Sequence, residues 1–184
     1  MRFFHYPSLP STNHQAKLLL QSNMVLLEEG CVVTADTQTQ GRGTRGRDWY
    51  SKDVGGLYYS LAIKPKFFNV HDLDIYHIDI AKAVQMVVKD IADITPDIKP
   101  PNDLFLNGKK VAGILMESSL RSNLDVPDLN YIIIGIGLNV NQTVFPNALQ
   151  SIATSLSLFA NQSFGIKDFV QPLTRKIIAD VSFV

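Results

Sequence analysis

The sequence predicts an α+β fold, with helices packed on a mixed, largely antiparallel sheet. Three observations lead there. Ile78, Ala81, Val84, Val88 and Ile91 recur at helical spacing, which marks residues 77–92 as an amphipathic helix. Residues 104–106 and 111–117 flank Asn107-Gly108, a pair that takes positive φ readily and so signals a type I′ hairpin. Regular alternation of strand and helix is missing, which argues against a doubly wound parallel sheet.

The elements follow in order along the chain. Ser11 or Thr12 can cap a helix that runs through Ala16, Leu19 and Leu20. Residues 31–37 are rich in β-branched side chains and read as a strand. A glycine- and arginine-rich loop spans 38–49. Residues 57–64 alternate imperfectly and read as another strand, followed by a surface loop at 66–74. After the helix and the hairpin, the polar stretch 121–130 reads as a loop between strands. Residues 131–140 are a buried strand and 142–149 a loop. Asp168 can cap a last helix with Phe169, Leu173, Ile177 and Val181 on one face.

With 184 residues, 46% hydrophobic and 18% charged, the chain has an ordinary globular composition and the length of one domain. Seventeen basic and seventeen acidic residues cancel, so no overall field draws nucleic acid or an anionic membrane. Cys31 is the only cysteine and cannot form an internal disulfide, which suits a reducing cytoplasm. No signal peptide is visible, and the apolar run 131–136 is too short to span a bilayer. His5, His14, His71 and His77 lack metal-ligand spacing, and no nucleophile elbow is present.

Chemistry concentrates in three segments. In Gly41-Arg42-Gly43-Thr44-Arg45-Gly46-Arg47-Asp48-Trp49, glycines allow close backbone approach and arginines supply forked donors for carboxylate or phosphate oxygens. No helix start follows, so a dinucleotide-binding turn is rejected. Trp49, the only tryptophan, offers a face for stacking a ring. In the hairpin, Lys109 and Lys110 point to opposite faces, so one of them faces Asn102 and Asp103. A lysine there can neutralise a carboxylate and then a phosphoryl group, an aspartate can hold magnesium, and Gly113 admits a ligand to the backbone. In the third segment, Gly135-Ile136-Gly137-Leu138-Asn139, two glycines interrupt a strand that ends in asparagine. Each segment alone is also compatible with ordinary turns and solvated charges.

Taken together and in this order, these segments resemble the biotin–protein ligase family. The matching pieces are Ser11-Thr12-Asn13, Gln38 with Gly41-Arg42-Gly43, Arg45-Gly46-Arg47 with Trp49, and Pro101-Asn102-Asp103. Lys110-Val-Ala-Gly113-Ile-Leu, Gly135 to Asn141 and Ala153-Thr154-Ser155-Leu156 complete the set. The resemblance implies a class II synthetase-like catalytic domain, here a single one over residues 1–184. It implies that biotin is activated with ATP and Mg2+ and transferred to a lysine of a biotin carboxyl carrier protein domain of a carboxylase. Ser11, Thr12, Asn13 and Gln38 would bind biotin, with Gly41, Arg42 and Gly43 closing over it and Gly113 against its ring. Lys110 and Arg42 would be catalytic. Arg45, Arg47, Trp49, Asn102, Asp103 and Asn139 would hold ATP, with Asp103 and Asn139 the candidates for magnesium.

Some features depart from the family pattern. Thr44 replaces an arginine common in the family, which implies a less tightly held adenylate. Pro100 replaces a tryptophan. No N-terminal helix-turn-helix domain and no C-terminal small β-barrel are expected, nor is repressor activity. A homodimer is compatible with the family. Lipoate or octanoate attachment is the nearest rival reading, although the arginine-rich segment followed by three glycines expected for it is missing. A non-enzymatic biotin-binding or nucleic-acid-binding module is the rival of another class.

Overall fold

The computed structural model describes residues 1–65, 72–121 and 128–180. Among these, seven strands form one sheet: β1 (Arg2–Leu9), β2 (Cys31–Gln38), β3 (Gly56–Ile63), β4 (Asp97–Lys99), β5 (Asp103–Leu106), β6 (Lys109–Arg121) and β7 (Asp128–Asn139). Their order is β1-β2-β3-β7-β6-β5-β4. Only the β1–β2 pair is parallel, so the sheet is mixed and largely antiparallel as expected. The helices are α1 (Thr12–Gln21), α2 (Leu73–Ala92), the short α3 (Leu156–Ala160) and α4 (Val170–Asp180).

The period of two in β7 divides the molecule into layers. Ile132, Ile134, Ile136 and Leu138 join a core with Ile80, Val84 and Val88 of α2 and Leu173 and Ile177 of α4. Each such fully buried aliphatic side chain contributes about 1.5–3 kcal/mol through removal from water. The opposite face of β7 carries Tyr131 and Ile133, which pack with Ala16, Leu19 and Leu20 of α1 and with Val33 and Ala62. Further along that face the same alternation places Gly135, Gly137 and Asn139. Side-chain bulk falls to nothing where α1 begins, and the face opens there.

The main helix begins at Leu73, four residues before the expected start, and the buried Tyr76 carries the stripe back one turn from Ile80. The expected loop at 66–74 falls in its first part outside the described residues. The β5–β6 connection is the expected two-residue turn, with φ 49° at Asn107 and 77° at Gly108. Of the expected loop at 121–130, Arg121 and residues 128–130 belong to strands and the rest lies outside the described residues.

Three features depart from what the sequence led us to expect or were not foreseen in it. β1 was not foreseen; it is an edge strand with Phe3 exposed, so it lacks a clean inside-outside pattern. The three-residue β4 and the five-residue α3 are too short to produce a periodic signal. Asp168 does not cap α4; it lies within a 3-10 turn, Ile166–Phe169, and α4 starts at Val170, where Pro172 suits a first turn that needs no N–H.

Candidate active site

The first part of the site is built at the start of α1. Ser11 holds the N-cap position in extended conformation (φ −161°), yet its side chain makes no capping bond. Thr12 faces Gln38 at the end of β2: its N–H donates to Gln38 Oε1 at 2.8 Å, and its Oγ1 lies 3.1 Å from the same oxygen. Ser60 of β3 stands 2.7 Å from Thr12 Oγ1 and 2.6 Å from Asn13 Oδ1. Asn13 Nδ2 donates to Glu117 Oε2 of β6 at 2.6 Å. Ser11, Thr12, Asn13, Gln38 and Ser60 are all buried, and the last four serve one another as hydrogen-bond partners. Asn13 finds room because a Cβ at Gly135 would overlap its Oδ1 and lie 3.0 Å from its Cγ.

The glycine-arginine loop folds back on itself as a short arm. Gln38 N–H donates to Ser51 O at 2.7 Å, Trp49 N–H to Gly41 O at 3.0 Å, and Gly43 N–H to Arg47 O at 2.7 Å. Gly41 sits in the base of the arm, where a Cβ would fall 2.5 Å from Trp49 O. Arg47 is folded onto Thr44, with Nε 3.2 Å from its carbonyl and a terminal nitrogen 3.0 Å from its hydroxyl. Arg45 adopts a left-handed conformation (φ 59°) and is exposed. Trp49 lies flat across the sheet: a Cβ at Gly137 would meet Cζ2 at 2.8 Å, and one at Gly113 would meet Cζ3 at 3.1 Å. Its buried Nε1 has no hydrogen-bond partner among the described residues.

The lysine hairpin supplies the third part. Leu104 pairs with Ala112 but Phe105 with Lys110, so Val111 is an extra residue in β6. This bulge resets the alternation of sides. Val111 and Ala112 both enter the core, while Lys110 and Gly113, three apart, face Trp49. Lys110 Nζ lies 2.7 Å from Asp103 Oδ1 and 5.4 Å from the Trp49 ring centroid. Lys109 points elsewhere and donates to Gln150 O at 2.9 Å. The Lys110 backbone is held by residues 152–154: its N–H donates to Ile152 O at 2.8 Å and its carbonyl accepts from Thr154 N–H at 3.0 Å. Asn102 Nδ2 donates to Ile114 O at 2.9 Å and Asn139 Nδ2 to Thr154 O at 2.9 Å.

All three parts border one cavity of 240 Å³. Ser11, Thr12, Asn13 and Gln38 line it from α1 and β2, and Arg42, Gly43, Arg47 and Trp49 from the arm. Asn102, Asp103, Lys110, Gly113 and Asn139 line it from the sheet. Gly41 and Arg45 do not: the first is packed inside the arm and the second is turned to solvent. An adjoining cavity of 110 Å³ shares Ser11, Asn13 and Arg42 and adds His14, Lys17 and Glu117.

Ser60 and Glu117 were not singled out from the sequence. The one available signal was Ser60 as the only small polar side chain inside the otherwise aromatic and aliphatic strand β3. Burial pushes the Tyr58 and Tyr59 phenols up, so both stay neutral donors at ordinary pH. Cys31, raised to about 11 by burial, packs in the core beneath α1 and does not border the cavity. Among the described residues no group of three or more His, Cys, Asp or Glu side chains gathers as a ready-made metal site, nor is any helix long and apolar enough to cross a membrane.

Comparison with known proteins gives a consistent set of similarities. The chain is 37% identical over 169 residues to the bifunctional ligase/repressor BirA of Bacillus subtilis, covering 91% of this chain and 50% of that protein. It is 30% identical over 131 residues to the biotin–[acetyl-CoA-carboxylase] ligase of Mycobacterium tuberculosis, covering 70% of this chain and 45% of that protein. The chain thus spans about half the length of the curated relatives it matches. Among solved structures, a biotin protein ligase of Aquifex aeolicus in complex with biotin and ATP superimposes with a TM-score of 0.80 at 29% identity, covering 98% of this chain and 70% of that one. The Biotin/lipoate A/B protein ligase family matches residues 6–139. The chain belongs to that family.

Proposed function

We propose that this chain activates biotin with ATP to biotinyl-5′-AMP and transfers the biotinyl group to a lysine of a biotin carboxyl carrier protein domain of a carboxylase. The observation that carries this reading is one cavity bordered by a polar cluster (Ser11, Thr12, Asn13, Gln38), by Arg42 on a glycine arm, and by the Lys110 ammonium. Relatives named as biotin–protein ligases and a similar structure containing biotin and ATP support it.

The polar cluster suits the ureido ring of biotin, which offers both N–H donors and a carbonyl acceptor. Gly113 and Gly137 let the Trp49 ring lie against the sheet, so the ligand would meet the indole there. Lys110 suits the carboxylate at the other end of the chain. In the first step a carboxylate oxygen attacks the α-phosphorus of ATP, a P–O bond forms, and pyrophosphate leaves. In the second step the neutral amine of the carrier lysine attacks the acyl carbon, AMP leaves, and an amide forms with loss of a proton. Both steps concentrate negative charge on phosphoryl or acyl oxygens, which Lys110 and the arginines stabilise. No covalent enzyme intermediate is needed, in keeping with the position of Cys31 in the core.

Trp49, Arg47 and Asn102 line the same cavity and would contact the nucleotide. Asp103 Oδ1, buried and paired among the described residues with Lys110 alone, is the oxygen that would accept a cation. Asp103, with Asn139 through its amide carbonyl, would hold magnesium, which when bound screens the triphosphate charge. Lys110 would then exchange Asp103 for the biotin carboxylate.

The test is biotin- and ATP-dependent labelling of a purified carrier domain. Labelling is expected with the wild-type chain and a loss of about 100-fold or more with Lys110→Ala. No labelling by the wild-type chain, or equal labelling by the variant, would sink the assignment.

A further inference from the structure

We infer that Glu117 is a positioning residue that sets the hydrogen-bond polarity of the ureido-binding cluster through Asn13, Ser60 and Thr12. The inference rests on the reading of this cavity as a biotin site. Glu117 borders only the smaller cavity, whereas Asn13 borders both, so the carboxylate reaches the ligand only through Asn13.

An ionised carboxylate only accepts, so the atom of Asn13 that faces Glu117 at 2.6 Å is the amide nitrogen. Asn13 Oδ1 is therefore the atom turned to Ser60. Two oxygens 2.6 Å apart need a proton between them, and Oδ1 has none to give, so Ser60 donates its single proton to Asn13. Ser60 then has nothing left for Thr12 at 2.7 Å, so the Thr12 hydroxyl donates to Ser60. The longest link, 3.1 Å from Thr12 Oγ1 to Gln38 Oε1, is the one left without a proton, and Gln38 Oε1 is served by the Thr12 N–H at 2.8 Å.

The result is a directed chain of donors running from Thr12 to Glu117. The free lone pair of Thr12 Oγ1 becomes an acceptor for a ring N–H of the ligand. Gln38, accepting at Oε1, keeps Nε2 as a donor for the ring carbonyl. The negative charge at the end of the chain strengthens each link in the same direction. Without Glu117 the Asn13 amide is free to turn over, Ser60 is released, and the Thr12 proton can point at the ligand N–H.

The experiment measures biotin binding by calorimetry and the KM values for biotin and ATP in ATP–pyrophosphate exchange. Glu117→Ala is expected to weaken biotin binding and raise its KM about tenfold, as for a lost charge-assisted network, with the KM for ATP unchanged. Glu117→Gln, which can still accept from Asn13, should recover most of that loss. Asn13→Asp sets two carboxylates against each other and should abolish biotin binding. Glu117→Gln added to Asn13→Asp should restore binding, because Gln donates to Asp and Ser60 still donates to it. A biotin KM within twofold of wild type in Glu117→Ala, a parallel rise in the KM for ATP, or no recovery in the double variant would overturn the inference. Wild-type protein that binds no biotin overturns the reading of the cavity and this inference with it.

Discussion

Replacing Gly135 with alanine tests how closely fold and site share one piece of space. The backbone tolerates the change, since Gly135 is not among the glycines at positive φ. The added Cβ would overlap Asn13 Oδ1 and lie 3.0 Å from both Cγ and Nδ2, where ordinary contacts are 3.4–4 Å. Asn13 must withdraw, and its bonds to Ser60 and Glu117, both 2.6 Å, stretch beyond useful range. The bond to Ser60 contributes about 1 kcal/mol and the charged one about 1.5 kcal/mol, the low end because Glu117 is exposed. Alanine returns about 0.5 kcal/mol by restricting the unfolded chain. The net loss is about 2 kcal/mol. With a urea slope of about 2 kcal/mol per molar, the unfolding midpoint should fall by about 1 M at unchanged slope. Biotin binding, by the reading above, should fall with it. A midpoint within about 0.2 M of wild type would show that Asn13 is not held as described.

Gly108→Ala should behave differently: its φ is +77° and nothing lies within 4 Å, so backbone strain costs about 1 kcal/mol in a urea melt while biotin binding is unchanged. Trp49→Phe keeps a ring over the two glycines and removes an indole N–H that has no partner among the described residues. Stability should stay within about 1 kcal/mol of wild type while adenylate affinity, measured by competition, falls about tenfold. Cys31 should make the fold sensitive to alkali. Its thiol is neutral in both states below pH 9.0, but above that the unfolded thiol ionises while the folded one holds its proton to about 11. The stability it contributes is therefore lost as pH rises through that window, by about 1–2 kcal/mol after allowance for screening. A pH series of urea melts in which Cys31→Ala loses as much stability as wild type between these values would refute this.

The fold was legible wherever a long element carried a clear period. The stripe on α2, the Asn107-Gly108 turn and the alternation of β7 each state their structure locally, and each formed. β1 did not announce itself because an edge strand buries little and owes its place to pairing with β2, a partner over twenty residues away. α1 was legible as a helix, but not the use of its cap. Ser11 and Thr12 looked like ordinary capping residues, whereas the structure turns Thr12 toward Gln38 and leaves the Ser11 side chain without a capping bond.

The site shows the limit more sharply. Strand alternation alone could not say whether Lys109 or Lys110 faces Asp103, because strict alternation would set Lys110 and Gly113 on opposite sides. The bulge at Val111 removes that conflict: one unpaired residue lets Lys110 reach Asp103, lets Gly113 lie under Trp49, and still delivers Val111 and Ala112 to the core. A bulge depends on how two strands register, which no single segment encodes. Ser60 and Glu117 were hidden for a related reason. Each is an unremarkable residue in its own strand, and they come together only because Asn13 reaches between them from a helix on another layer. What the sequence does state in advance is the space for that meeting, written as Gly135 and Gly137 in a strand otherwise filled with isoleucine. Restoring side chains to those two positions should therefore disturb Asn13 and Trp49 before it disturbs the sheet itself.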